Sequence, residues 1–169
     1  MKKNTRFLTQ SAIIAALYAG LTWLQNLLLP GSASWAIQFR ISEALCILAF
    51  FTPAAIPGLS MGCLLFNLTF APALPLDFLV GTAATCLAAT AMYALRRVQI
   101  FRLPIPGLLM PALFNGLLVG WELNVYIGGG FWLCAVQVAI GELAVLYTLG
   151  ALFYWTARKR RLDIRLNLR

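Results

Sequence analysis

Two runs without a single charge, residues 7–39 and 44–76, set the terms on which this chain can fold. A helix needs about 20 apolar residues to cross a hydrocarbon core of about 30 Å, and the stretch from Phe7 to Leu29 exceeds that, which predicts a first span. The second run would be near 50 Å long as one straight helix at about 1.5 Å per residue, too long for a single crossing. Thr52-Pro53-Ala54-Ala55-Ile56-Pro57-Gly58 supplies prolines and a glycine where a reversal is needed, so two short spans are expected, at about 42–52 and 57–71. Pro72 and Pro75 mark the next turn. A fourth span is expected over Asp77 to Leu95, a fifth over Pro106 to Val125, and a sixth over Phe131 to Thr156, after the Gly128-Gly129-Gly130 breaker. The expectation is an all-α, integral membrane six-helix bundle forming a single transmembrane domain over residues 1–169.

Only 11% of the residues are charged, against about a quarter in soluble domains, and 62% are hydrophobic. The basic residues test the span count independently. Lys2, Lys3 and Arg6 precede the first span, Arg96, Arg97 and Arg102 lie between the fourth and fifth, and Arg158, Lys159, Arg160, Arg161, Arg165 and Arg169 follow the sixth. With four spans between the first two clusters and two between the last two, all three share one side, which the positive-inside rule makes cytoplasmic; both termini are then inside. The net charge of +8 thereby reads as a membrane-flanking face and needs no nucleic-acid partner. The first apolar stretch is longer than the 7–15 residues of a signal core and is expected to be retained.

Cys46, Cys63, Cys86 and Cys134 lie inside expected spans without CxxC spacing and read as buried small hydrophobes, and the chain has no histidine, so no metal site is expected. In the first span Ala12, Ala16 and Gly20 recur at four-residue spacing, with Ser11, Ala15 and Ala19 as a neighbouring ridge, which allows close approach by another helix. Gly58 with Gly62, and Gly116 with Gly120, repeat the small-xxx-small pattern and are read as packing within the bundle.

Four of the five acidic residues, Glu43, Asp77, Glu122 and Glu142, fall in or at the edge of expected spans. An ionisable group costs about 2.5–3.5 kcal/mol there on insertion scales, so it usually faces the bundle interior or a cavity. Glu142 lies near the midplane of the sixth span with no cap to form and no basic residue in that span, which favours a cavity role. Asp77 follows Pro75 at a helix start, where a carboxylate also serves as a cap. Glu43 follows Ser42 and is expected to pair with Arg40 at the entrance of the second span. Glu122 suits either the interior or the outer interface beside Asn124 and Tyr126. Asn67 and Asn115 suit either ligand contact or an interhelical hydrogen bond, and Asn115 shares a face with Glu122, two turns on. Trp35, in the loop before Gln38, suits either an interfacial belt or a cover over a planar ligand.

The segments "SAIIAALYAG" (11–20), "IQFRISEAL" (37–45), "PAAIPGLSMGCLLFNL" (53–68), "LDFLVGTAATCLAA" (76–89), "LFNGLLVG" (113–120) and "GELAVLYTLG" (141–150) together resemble the queuosine-precursor transporter family, QueT, over nearly the whole chain. The most specific element is QFRISEAL combined with AIPGL and the later GEL; the 69–77 connection, TFAPALPLD, departs from the pattern in its prolines.

The resemblance implies a six-helix substrate-binding subunit (S component) of an energy-coupling factor (ECF) transporter in the bacterial cytoplasmic membrane, taking up deazaguanine precursors of queuosine from outside. It also implies partners: a membrane coupling protein and a pair of ATP-hydrolysing subunits, with docking through small residues of the first helix. No Walker-type GxxxxGK[ST] loop is present, so ATP use is expected in the partner subunits, with no cofactor held here and no enzyme activity. A guanine-like edge offers two adjacent N–H donors that one carboxylate can accept, and its carbonyl needs a donor. On that chemistry Glu142 is the first choice for the carboxylate, and Asn67 and Asn115 for the carbonyl and ring-nitrogen partners. Glu43 or Asp77 could meet the amine of an aminomethyl ligand. Trp35, Phe39 or Tyr126 could stack on the base, Arg40 and Glu43 would shape the pocket lip, and Arg40 and Gln38 count among the substrate-binding candidates. Ala12, Ala16 and Gly20, with Ala15 and Ala19 beside them, are the expected docking surface. Other planar ligands such as riboflavin or thiamine remain alternatives. A stand-alone channel, or an enzyme using Glu142 and Asp77 as acid and base, suits the sequence less well.

Overall fold

The computed structural model describes residues 3–30, 39–70, 74–101 and 103–160. Its elements are α1 (Lys3–Leu28), a 3-10 helix (Ile41–Phe50), α2 (Ala55–Thr69), α3 (Asp77–Ala94) with a short 3-10 extension Leu95–Arg97, the single turn α4 (Ile105–Leu108), α5 (Met110–Tyr126), α6 (Phe131–Val145), a π-helical segment Leu146–Gly150, and α7 (Ala151–Lys159). Among the described residues the structure is all-helical, with no strand beyond an isolated bridge between Ile100 and Leu103.

Among the described residues, four helical stretches are long and apolar enough to cross a membrane: Lys3–Leu28, Asp77–Arg97, Ile105–Tyr126 and Phe131–Lys159. Ile41–Phe50 and Ala55–Thr69 are apolar but shorter. The six expected segments are therefore all helical, within a few residues of the expected bounds, while four of them have the length of a full crossing. The Thr52–Gly58 segment reverses the chain as its prolines require, and Pro57 sits in the first turn of α2, where a missing N–H costs nothing. Gly128, Gly129 and Gly130 carry φ of 84°, 95° and 97°, a left-handed run that only glycine adopts without strain, and this turn joins α5 to α6.

The 3-10 helix runs through the middle of the bundle, touching α1, α2, α3, α6 and α7. Cys46, Ile47 and Ala49 on it are fully buried. At about 2.0 Å per residue a 3-10 winding reaches further than an α-helix of equal length, so ten residues cover about 20 Å rather than about 15 Å. Around it α1 packs on α2, α2 on α3, α3 on α5 and α5 on α6.

The glycine pairs explain how close these helices come. A Cβ on Gly58 would lie 2.8 Å from the Ile14 Cβ and 2.9 Å from the Ser11 carbonyl oxygen; one on Gly62 would lie 2.7 Å from the Tyr18 Cβ and 2.8 Å from the Ala15 carbonyl oxygen. A Cβ on Gly120 would meet the Ala135 backbone at 2.6 Å. Both pairs pack the bundle, as their spacing predicts. An apolar core of Tyr18, Ile47, Phe50, Phe51, Leu59, Met92, Leu108 and Tyr154 fills one end, with Phe51 stacked on Tyr154 at 5.5 Å between ring centroids. Leu17, Leu24, Leu65, Leu87, Leu117, Val136 and Ile140 face outward. An apolar exterior around a partly polar interior suits a lipid surround.

Candidate functional site

Polar residues on α1 recur at seven-residue spacing, Ser11, Tyr18 and Gln25, with Thr22 on the same stripe, and all of them turn inward. Gln25 anchors the approach to the 3-10 helix: its side-chain amide nitrogen donates to the Phe39 carbonyl, and its Oε1 accepts from the Ile41 N–H at 2.7 Å. Thr22 Oγ1 donates to the Ser42 hydroxyl at 2.7 Å. The Tyr18 hydroxyl donates to Glu43 Oε1, and the Cys46 thiol donates to Glu43 Oε2 at 3.0 Å. Both oxygens of the buried Glu43 carboxylate are thus met from inside the bundle.

The backbone at Arg40 is extended, with φ −100° and ψ 104°, so its side chain leaves the helix axis. Its Nη2 reaches Asp77 Oδ2 at 3.5 Å, a buried ion pair between the start of the 3-10 helix and the start of α3. The guanidinium also stands over the Phe66 ring at 5.8 Å. This corrects the expected partner of Arg40, which is Asp77 and not Glu43. It also corrects the cap bond expected of Asp77, since Leu76 occupies the cap position and no side-chain cap hydrogen bond forms, while the Asp77 carboxylate does stand in the first turn of α3, where the helix dipole favours it.

Asn67, on the last turn of α2, donates from Nδ2 to the Asp77 carbonyl at 2.9 Å. Gly81 makes room for this arrangement, since a Cβ there would stand 2.9 Å from both Asn67 Nδ2 and Asp77 Oδ1. On the other side of the bundle Asn115 Nδ2 donates to Glu142 Oε1 at 2.9 Å. Glu142 lies within electrostatic reach of Glu43 and Arg40, and Glu122 within reach of Asp77 and Arg40, so Arg40, the one buried cation among the described residues, is common to both groups.

Glu122 is fully buried and faces the interior with α5 residues Asn115, Val119 and Leu123, not the outer interface. The Leu76 backbone comes near its carboxylate without meeting hydrogen-bond geometry. Several acceptors on these residues have no hydrogen-bond partner among the described residues: Asn67 Oδ1, Asp77 Oδ1, Glu142 Oε2 and both oxygens of Glu122. Buried polar atoms are almost always paired, so these acceptors are candidates for contact with ordered water or a bound solute.

The structure thereby brings Arg40, Asp77 and Asn67 together, and Asn115 and Glu142 together. Phe39 is 40% exposed beside them, while Trp35 and Gln38 lie outside the described residues. Sequence reasoning alone misses Tyr18 and Gln25, for which the seven-residue spacing on α1 is the available signal. It also leaves Glu122 undecided, although Asn115 stands two turns earlier on its face.

On α1 the two small-residue ridges part. Ala12, Ala16 and Gly20 are exposed, Ala19 is half-buried, and Ala15 is buried against Gly62 of α2. Ala15 is thus removed from the expected docking surface, because its ridge is already spent on packing within the bundle.

Apolar helices enclosing a set of charged and amide groups define a membrane protein with a polar interior. The sequence model of the QueT transporter family matches residues 8–159, nearly the whole chain, and the chain belongs to that family of transporters. No curated protein and no solved structure matches it.

Proposed function

We propose that this chain is the substrate-binding S component of an ECF-type importer in the bacterial cytoplasmic membrane, capturing a queuosine precursor of the cyano- or aminomethyl-deazaguanine type from outside. The observation that carries the reading is Glu142: Asn115 holds one carboxylate oxygen, and the other is buried without a partner among the described residues. A carboxylate so oriented suits the paired N–H donors of a guanine-like edge. Family membership supports transport, and the lack of a phosphate-binding loop supports ATP use by partner subunits. In this reading the chain crosses the membrane six times with both termini inside, the two shorter helices serving as short spans, and the exposed ridge of Ala12, Ala16 and Gly20 docks on the coupling protein.

A calorimetric panel on purified protein tests this: cyano-deazaguanine, aminomethyl-deazaguanine, queuine, riboflavin and thiamine. Binding of a deazaguanine supports it. Binding of a vitamin with no response to any deazaguanine would overturn the substrate, and uptake in cells lacking the ATPase subunits would overturn the ECF assignment.

A further inference from the structure

Among the described residues, the buried charged side chains are four carboxylates, Glu43, Asp77, Glu122 and Glu142, and one guanidinium, Arg40. Their internal partners are unevenly shared. Glu43 receives Tyr18 and Cys46, Asp77 receives Arg40, and Glu142 receives Asn115 on one oxygen. Glu122, fully buried, has neither oxygen bonded among the described residues. Leaving aside the Thr82 hydroxyl, which can donate or accept, every unpartnered buried side-chain atom among those residues is an acceptor: Asn67 Oδ1, Asp77 Oδ1, Glu142 Oε2 and the Glu122 pair. A solute that completes such a set is rich in donors, because an acceptor brought among acceptors would leave both unsatisfied, and a positive charge on it would be met by carboxylates.

Glu122 is also well separated from the first carboxylate. It lies seven residues from Asn115 on the same face of α5, about 10 Å along the helix axis, and Asn115 is the residue that holds Glu142. The residue that holds Glu142 and the second carboxylate thus stand two turns apart on α5, a span that suits a ligand with donors at both ends.

We infer that the site selects the cationic aminomethyl form over the neutral cyano form, with Glu142 taking the guanine-like edge and Glu122 taking the ammonium at the other end. This rests on the deazaguanine reading above. The aminomethyl form offers the ring N–H, the exocyclic amine, the pyrrole N–H and an ammonium; the cyano form presents a nitrile acceptor where Glu122 supplies two more.

Calorimetry of both ligands with the purified wild-type protein and with Glu122→Gln tests it, each protein first checked for a monodisperse elution profile and a cooperative melt. The expected result is wild-type preference for the aminomethyl form of about tenfold or more, the scale of one charge-assisted hydrogen bond. Glu122→Gln should lower the aminomethyl affinity by a similar factor and leave the cyano affinity within about threefold, collapsing the preference. Equal wild-type affinities would overturn the inference and leave the deazaguanine reading standing, and this arm needs no variant to fold. A preference that survives Glu122→Gln would overturn the role of Glu122, as expected of a side chain that only fills space between α3 and α5. Binding of neither ligand would overturn both the reading and the inference.

Discussion

Asn115 and Glu142 meet across the packed faces of α5 and α6, amide nitrogen to carboxylate oxygen at 2.9 Å, where Gly116 and Gly120 let the two helices close on Ala135 and Ala139. The amide orients the carboxylate and leaves one oxygen aimed elsewhere. Glu142→Gln keeps the shape but replaces an acceptor with a donor, so deazaguanine affinity should fall at least about tenfold. Asn115→Ala removes only the orienting bond and should cost less. Titration calorimetry on both variants checks the order, and a Glu142→Gln affinity within about twofold of wild type would remove Glu142 from the site.

Glycine substitutions on α1 and α2 should divide sharply. Gly62→Ala places a methyl group 2.7 Å from the Tyr18 Cβ and 2.8 Å from a backbone oxygen, forcing the helices apart at a cost of about 1–3 kcal/mol. A methyl group at Gly20 would meet nothing within 4 Å, and Gly20→Ala should stabilise by about 0.5–1 kcal/mol through helix propensity. Thermal melts in detergent separate the two.

Docking can be separated from folding on one helix. Leucine at Ala12 and Ala16, both exposed, should abolish copurification with the coupling protein while ligand binding is unchanged. Leucine at the buried Ala15 should instead lower the melting temperature. Unchanged copurification of the Ala12→Leu, Ala16→Leu double variant would place docking elsewhere.

Tyr18→Phe deletes one donor to the buried Glu43 and should destabilise by about 1–3 kcal/mol, the cost of leaving a buried polar group unmet. Arg40→Ala leaves Asp77 without its cation and should cost more, about 3–5 kcal/mol. Equilibrium unfolding followed by tryptophan fluorescence ranks them.

Helix bounds are legible in the sequence because lipid imposes them: charge-free runs and proline breaks place α2 at 57–71 by expectation and at Ala55–Thr69 in the structure. Partners are less so. Arg40 and Glu43 are near neighbours in sequence, yet Arg40 stands on extended backbone ahead of a 3-10 helix and joins Asp77, 37 positions away, a pairing set by how α2 and α3 fold back. Glu122 sits beside Asn124 and Tyr126 in the sequence, which suggests an interface, although helical geometry groups it with Asn115 instead.

The π-helical segment Leu146–Gly150 shifts the phase of the last long helix. Glu142 and Tyr154 are both buried, twelve residues apart, and in an unbroken α-helix that spacing would leave them about 120° out of line. One residue absorbed by a π turn brings the effective spacing to about eleven and the offset to about 20°. The irregular turn thus acts as a re-phasing joint, letting a single long helix offer a carboxylate to the polar site and, further down, a tyrosine that meets Phe50 edge-on and stacks on Phe51. Rewinding the same residues as an unbroken α-helix would turn one of those two groups out into the lipid, whereas deleting one residue there would straighten the helix and leave the two in phase.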